Sequence, residues 1–62
     1  MRAYGKRSLK RELRQASRAV DDAVRRRDRI IRKAVMAGMP LREIADLVGL
    51  SHEKVRQVGR EL

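Results

Sequence analysis

The stretch LREIADLVGLSHEKVRQVGREL, residues 41–62, decides how this chain folds. Leu41, Ile44, Ala45 and Val48 fall at i, i+3, i+4 and i+7 and so share one face of a short helix. Gly49 and Leu50 follow, and Ser51 opens a second periodic run through Val55, Val58 and Leu62. The spacing predicts helix over about 40–48 and again over about 51–62, joined by a tight glycine turn. Pro40 is expected in the first turn of the earlier helix, where its missing N–H does no harm, with Glu43 favourably placed in the same turn. Ala45 is small enough for two backbones to cross there. Gly49 suits the left-handed residue that closes a helix. Ser51 is the expected N-cap of the last helix, and Leu50 and Val55 hold the N′ and N4 positions of a hydrophobic staple. With Val55, Val58 and Leu62 facing inward, His52, Glu53, Arg56, Gln57 and Arg60 are left outward.

Toward the N-terminus, residues 1–7 (MRAYGKR) lack periodicity and are expected to form a flexible basic arm. Ser8 is the expected N-cap of a long helix over about 8–37, although Arg11 stands where a capping box has Glu or Gln. An apolar stripe runs Leu9, Leu13, Ala16, Val20, Val24, Ile31, Val35, interrupted by Arg27. Two triplets in it repeat every 11 residues, close to three helical turns, which keeps the stripe straight. Gly38 and Pro40 end the run. A helix of this length spans about 45 Å. A break with Asp21 or Asp22 as a second cap is the alternative; a continuous or mildly bent helix is favoured. A three-helix unit needs only about Ala23–Ala37 of it, so Leu9, Leu13, Ala16 and Val20 have no partner within the chain and are expected to mediate dimerisation.

The expected fold class is all-α: three helices, with an extended basic N-terminal helix. Sixty-two residues make one small domain, and 15 Leu, Ile and Val suffice for a lean core without Phe or Trp. Cysteine is absent, and His52 is a lone histidine, so no disulfide or metal staple is available and no cofactor is expected. Self-association, as a homodimer, is expected by elimination. No apolar run could span a bilayer or serve as a signal peptide, which points to a cytoplasmic, nucleoid-associated protein.

Net charge is +9, and its distribution is uneven. Residues 1–33 hold thirteen Lys and Arg against four acids, whereas residues 34–62 hold four of each. A polyanion partner follows, most simply double-stranded DNA. Arg25 and Arg29, one turn apart, are expected to clamp one phosphate strand. Arg2, Lys6 and Arg7, with Tyr4, would insert into a minor groove, or the arm is simply disordered. Asp21, Asp22 and Asp28 read as internal salt-bridge partners at helical spacing.

Two short helices joined by a glycine turn, with converging apolar faces, make a helix-turn-helix, the unit that offers its second helix to a major groove. EIADLVGLSHEKVRQVGREL resembles the second half of region 4 of primary sigma factors, most closely in SHEKVRQV. Arg27-Asp28 through Ala45 is similar to small actinobacterial and phage helix-turn-helix proteins of the form RD-x-I-I-x-x-A-x-x-A-G-x-x-x-R-E-I-A. Pro40 departs from the Ser or Thr that many such relatives carry as cap. The resemblance implies sequence-specific DNA binding in transcription regulation. Arg56 would contact guanine, Gln57 adenine, and His52 a base edge or phosphate, while Glu53 would accept from cytosine or exclude phosphates. Ser51, Arg60, Arg42 and Lys54 would hold phosphates. The plainer reading of the same outward residues is a solvated helix face.

Three other functions compete. RNA polymerase is a possible partner for a chain that looks like a sigma segment, and binding without sequence preference would make an architectural protein. A membrane-surface helix is disfavoured by a narrow, Ala-rich stripe without Trp or Phe. An enzyme is not expected, since no Ser-His-acid set, cysteine or carboxylate pair is available.

Overall fold

In a computed structural model that describes residues 5–61, the chain forms three helices. They are α1 (Lys6–Met36), α2 (Leu41–Val48) and α3 (His52–Arg60), with no strand among the described residues. α1 is a single 31-residue helix without a break at Asp21-Asp22, as the absence of glycine and proline within it allows. It makes the molecule a rod with a head: 54 × 22 × 15 Å, with a radius of gyration of 16.8 Å. A compact chain of this length would measure about 11 Å.

The core lies wholly in the head. Ile31 from α1, Ile44 and Ala45 from α2, and Val55 and Val58 from α3 are buried, and Ala34, Val35, Met39, Leu41, Val48 and Leu50 pack around them. Ile31, Ile44, Ala45, Val55 and Val58 are the inward positions read from the periodicity. Leu50 lies partly buried against the cluster that holds Val55, as a staple requires. Leu62 lies outside the described residues. Val24 is 38% exposed and so stands at the edge of the head, with Leu9, Leu13 and Val20 exposed beyond it.

Both turns end on a left-handed glycine. At the end of α1, Gly38 (φ +88°) lets its N–H reach Val35 O at 3.0 Å and the Met39 N–H reach Ala34 O at 3.1 Å. This crossed pair satisfies two of the last carbonyls and carries Met39 back onto Ala34 in the core. After α2, Gly49 (φ +72°) lets its own N–H and that of Leu50 converge on Ala45 O at 2.8 and 3.2 Å. That turn leaves only Gly49, Leu50 and Ser51 between α2 and α3.

The helix termini correct three expectations. α1 begins at Lys6 with Gly5 as its N-cap, so Ser8 is not a cap and lies within the helix. Nothing in Lys6, Arg7 or Ser8 opposes helix, and Gly5 O already accepts from the Leu9 N–H at 3.1 Å. Pro40 is not in the first turn of α2 but precedes it as N-cap, extended at φ −60°, ψ 141°. There its carbonyl accepts from the Ile44 N–H at 3.1 Å. α3 ends at Arg60, earlier than periodicity through Leu62 implied, because Glu61 turns extended.

Candidate nucleic-acid interface

α3 is half buried by design of its sequence: Val55 and Val58 are inside while His52, Glu53, Lys54, Arg56, Gln57 and Arg60 are all exposed. Its start is fixed by Ser51, whose Oγ accepts from the Lys54 N–H at 3.1 Å. One lone pair of Ser51 is therefore committed to the cap. The hydroxyl proton remains available, so Ser51 can still donate to a phosphate oxygen. The N–H groups of His52 and Glu53 have no partner in the helix and point outward from its start.

Arg56 is not a lone side chain. Its Nη1 lies 3.2 Å from Glu53 Oε1, one turn earlier on the same exposed face. The pair is about half exposed on each side, a setting in which such pairs contribute only about 0.3–0.5 kcal/mol. Binding can therefore break it at little cost, but in the free protein Glu53 restrains the guanidinium. Gln57 stands beside Arg56 in sequence, and both are exposed. Arg56 and Arg60 share a shallow hollow with Pro40 and Leu41, so the exposed end of α3 and the start of α2 form one surface. Arg42 lies on α2 among Glu43 and Asp46 in a separate hollow, which weakens its pull on phosphate.

Why α3 sits so close to α1 was not visible from periodicity. Gly59 faces Val35, and a Cβ there would lie 3.2 Å from Val35 Cγ2. Glycine at this position lets the two backbones approach. Glu61 then reaches Arg32 at 4.0 Å, tying the end of α3 to α1. Met39 and Ala34 were also missed as core residues, because a loop methionine and a helix alanine carry no periodic signal of their own.

The arginines of α1 divide into committed and free. Arg25 Nη2 donates to Asp22 Oδ1 at 2.8 Å. That hydrogen bond and the charge of Asp22 push the Arg25 pKa further up, so it stays protonated but partly neutralised. Arg27, which interrupts the stripe, is half buried and donates from Nε and Nη2 to Asp28 Oδ1 at 3.1 and 3.0 Å. Asp22 thus pairs at the expected helical spacing. Asp28 does not, because it pairs with its chain neighbour, and Asp21 makes no ion pair among the described residues. Arg25, Arg29 and Arg32 border one hollow with Asp28 and Glu61, so the basic row of α1 runs beside the C-terminal end of α3. Of the expected phosphate pair, Arg29 is exposed and makes no ion pair among the described residues, whereas Arg25 is engaged.

The expected minor-groove arm is corrected in part. Lys6 and Arg7 form the first turn of α1 and belong to the helix surface, while Arg2 lies outside the described residues. The expected dimerisation residues Leu9, Leu13, Ala16 and Val20 are all exposed. No group of three His, Asp or Glu side chains could hold a metal ion among the described residues. Among the described residues no helix is long and apolar enough to cross a membrane. Comparison with protein-family models, curated proteins and solved structures gave no match, so only the chain's own residues bear on what it binds.

Proposed function

We propose that this chain is a small sequence-specific DNA-binding regulator of transcription that docks α3 into a major groove and rests the basic side of α1 on the phosphate backbone. The observation that carries this is the division of α3. One face is locked into the core through Val55 and Val58, and the other offers His52, Glu53, Arg56 and Gln57 to solvent on a helix set by a three-residue turn. A bidentate guanidinium and a carboxamide on adjacent exposed positions suit guanine and adenine edges. Arg60 and Lys54 flank them for phosphate, and Arg29 and Arg32 extend positive charge along α1.

Selection of bound duplexes from random DNA at two salt concentrations tests the reading. A recurring motif that survives higher salt supports it. Binding without a motif and with a steep salt slope makes the protein an architectural binder instead. A second reading, a regulator that engages RNA polymerase, draws support from an apolar groove of about 740 Å³ between α1 and α2. Ile30 and Leu47, both on that groove, are 55% and 72% exposed. Retention on purified, nucleic-acid-free polymerase separates this reading from the first.

A further inference from the structure

Among the described residues the N-terminal half of α1 has no cover, yet it carries an apolar seam. Leu9, Leu13 and Val20 are 44%, 69% and 61% exposed, and the steps from Leu9 through Leu13 and Ala16 to Val20 alternate four, three, four, which is seam spacing. The seam is self-complementary when reversed. In an antiparallel pair related by a two-fold axis, residues whose numbers add to the same total lie opposite each other. Leu9 then meets Val20 and Leu13 meets Ala16, each a large side chain against a smaller one. A parallel pair instead sets Ala16 against Ala16 and leaves a gap beside the Leu13 layer.

Charge selects the same orientation. Lys10 and Asp21 are eleven residues apart, on nearly one line of the helix. Reversal places Asp21 of each copy at the height between Lys6 and Lys10 of the other, on the same flank. Asp21 is the one aspartate of α1 without an ion pair among the described residues, while Asp22 and Asp28 hold Arg25 and Arg27. A parallel pair turns opposite flanks toward each other and offers Asp21 no such partner. We therefore infer that a second copy of this chain covers the seam, antiparallel, over residues 6–23, with Leu9 on Val20, Leu13 on Ala16 and Asp21 beside Lys6 and Lys10.

The antiparallel pair stands whether or not α3 reads DNA, and it fixes how far apart the two heads lie. Ile31 of the two copies would stand about 50 Å apart along the pair. On the DNA reading, the two half-sites would then be separated by more than one helical turn, about 34 Å.

Absence of cysteine makes the test clean. Full-length Leu9→Cys and Val20→Cys chains are treated with a short thiol-to-thiol crosslinker, singly and as an equimolar mixture, with and without duplex DNA. The mixture is expected to give covalent dimer while each chain alone does not, because like cysteines would lie about 17 Å apart in the antiparallel pair. Asp21→Lys should lower the yield, and adding Lys10→Glu to the same chain should restore it. Crosslinking of either chain alone overturns the orientation. No crosslinking in the mixture, with or without DNA, overturns the pairing, and an unchanged yield in Asp21→Lys overturns the register. None of these outcomes depends on whether α3 recognises a sequence.

Discussion

Gly59 shows how one missing carbon sets an interface. Adding a Cβ brings it to 3.2 Å from Val35 Cγ2, tighter than ordinary contact, and Val35 is a β-branched helix residue with little freedom at χ1. Gly59→Ala therefore sets a gain of about 1 kcal/mol in helix propensity against an overpacking penalty of about 1–3 kcal/mol. Net loss of stability is expected in the native background. In a Val35→Ala background the clash is gone, and the same substitution should stabilise by up to about 1 kcal/mol. Urea unfolding of the four proteins reads the sign change directly, and equal effects in both backgrounds would rule out the Val35 contact as the cause. At Gly49 the space is open and the objection is conformational, since φ is +72°. Gly49→Ala should cost about 1 kcal/mol, with Gly49→Asn costing less.

The same scale decides what Arg56 does. Arg56→Ala should weaken DNA binding by about 1–3 kcal/mol and relax preference at one base pair. Glu53→Gln tests the restraint separately. Without the carboxylate 3.2 Å away, the guanidinium is free to meet phosphate, so affinity for unrelated DNA should rise while discrimination falls. Competition binding with cognate and scrambled duplexes measures both. A uniform loss across all sequences in Arg56→Ala would reduce that residue to a phosphate contact.

At the scale of elements, the three helices, their inward faces and the left-handed glycine after α2 were legible in the sequence because each rests on local spacing or a local cap. Ser51 is such a case: its hydroxyl accepts from Lys54 three residues on, so the whole device lies within four residues. The starts of α1 and α2 were less legible. Gly5 and Pro40 cap through their backbones alone, without a side-chain bond that would mark them. The Gly59–Val35 approach and the return of Met39 were illegible for a different reason. They depend on which helix faces which, and no periodicity within one helix encodes that. The ion pairs are intermediate: Asp22–Arg25 follows helical spacing, whereas Arg27–Asp28 depends on the side chains bending along the surface.

The core that these elements build is small enough for one residue to govern it. Ile31 is α1's only fully buried side chain. Ile31→Ala should cost about 2–5 kcal/mol, most of the stability a domain of this size holds. The expected outcome is loss of cooperative head unfolding in a thermal melt, with part of the helical circular dichroism signal surviving.

At the scale of the whole molecule, the proposed DNA-binding function would put reading and attraction in different places. The chain from residue 34 onward, which supplies α2 and α3, carries balanced charge, while the first 33 residues hold the entire excess of nine. If the chain binds DNA as proposed, a basic rod attached to a neutral reader divides the two terms of that affinity between separate surfaces. Base contacts from α3 should set preference and be nearly independent of salt, whereas phosphate contacts from α1 should release counterions. Replacing Arg29 by Gln should therefore reduce the slope of log K against log salt by about 0.9, the share of one phosphate contact, and Arg32→Gln should reduce it by less, because Glu61 lies 4.0 Å from that guanidinium. Preference among sequences should be unchanged. Arg25→Gln should change the slope less, since Asp22 already neutralises part of that charge at 2.8 Å. Titrations of one cognate and one unrelated duplex at four salt concentrations suffice. If the slope falls only for the cognate duplex, Arg29 and Arg32 take part in recognition itself, and the separation of reader from attractor is wrong.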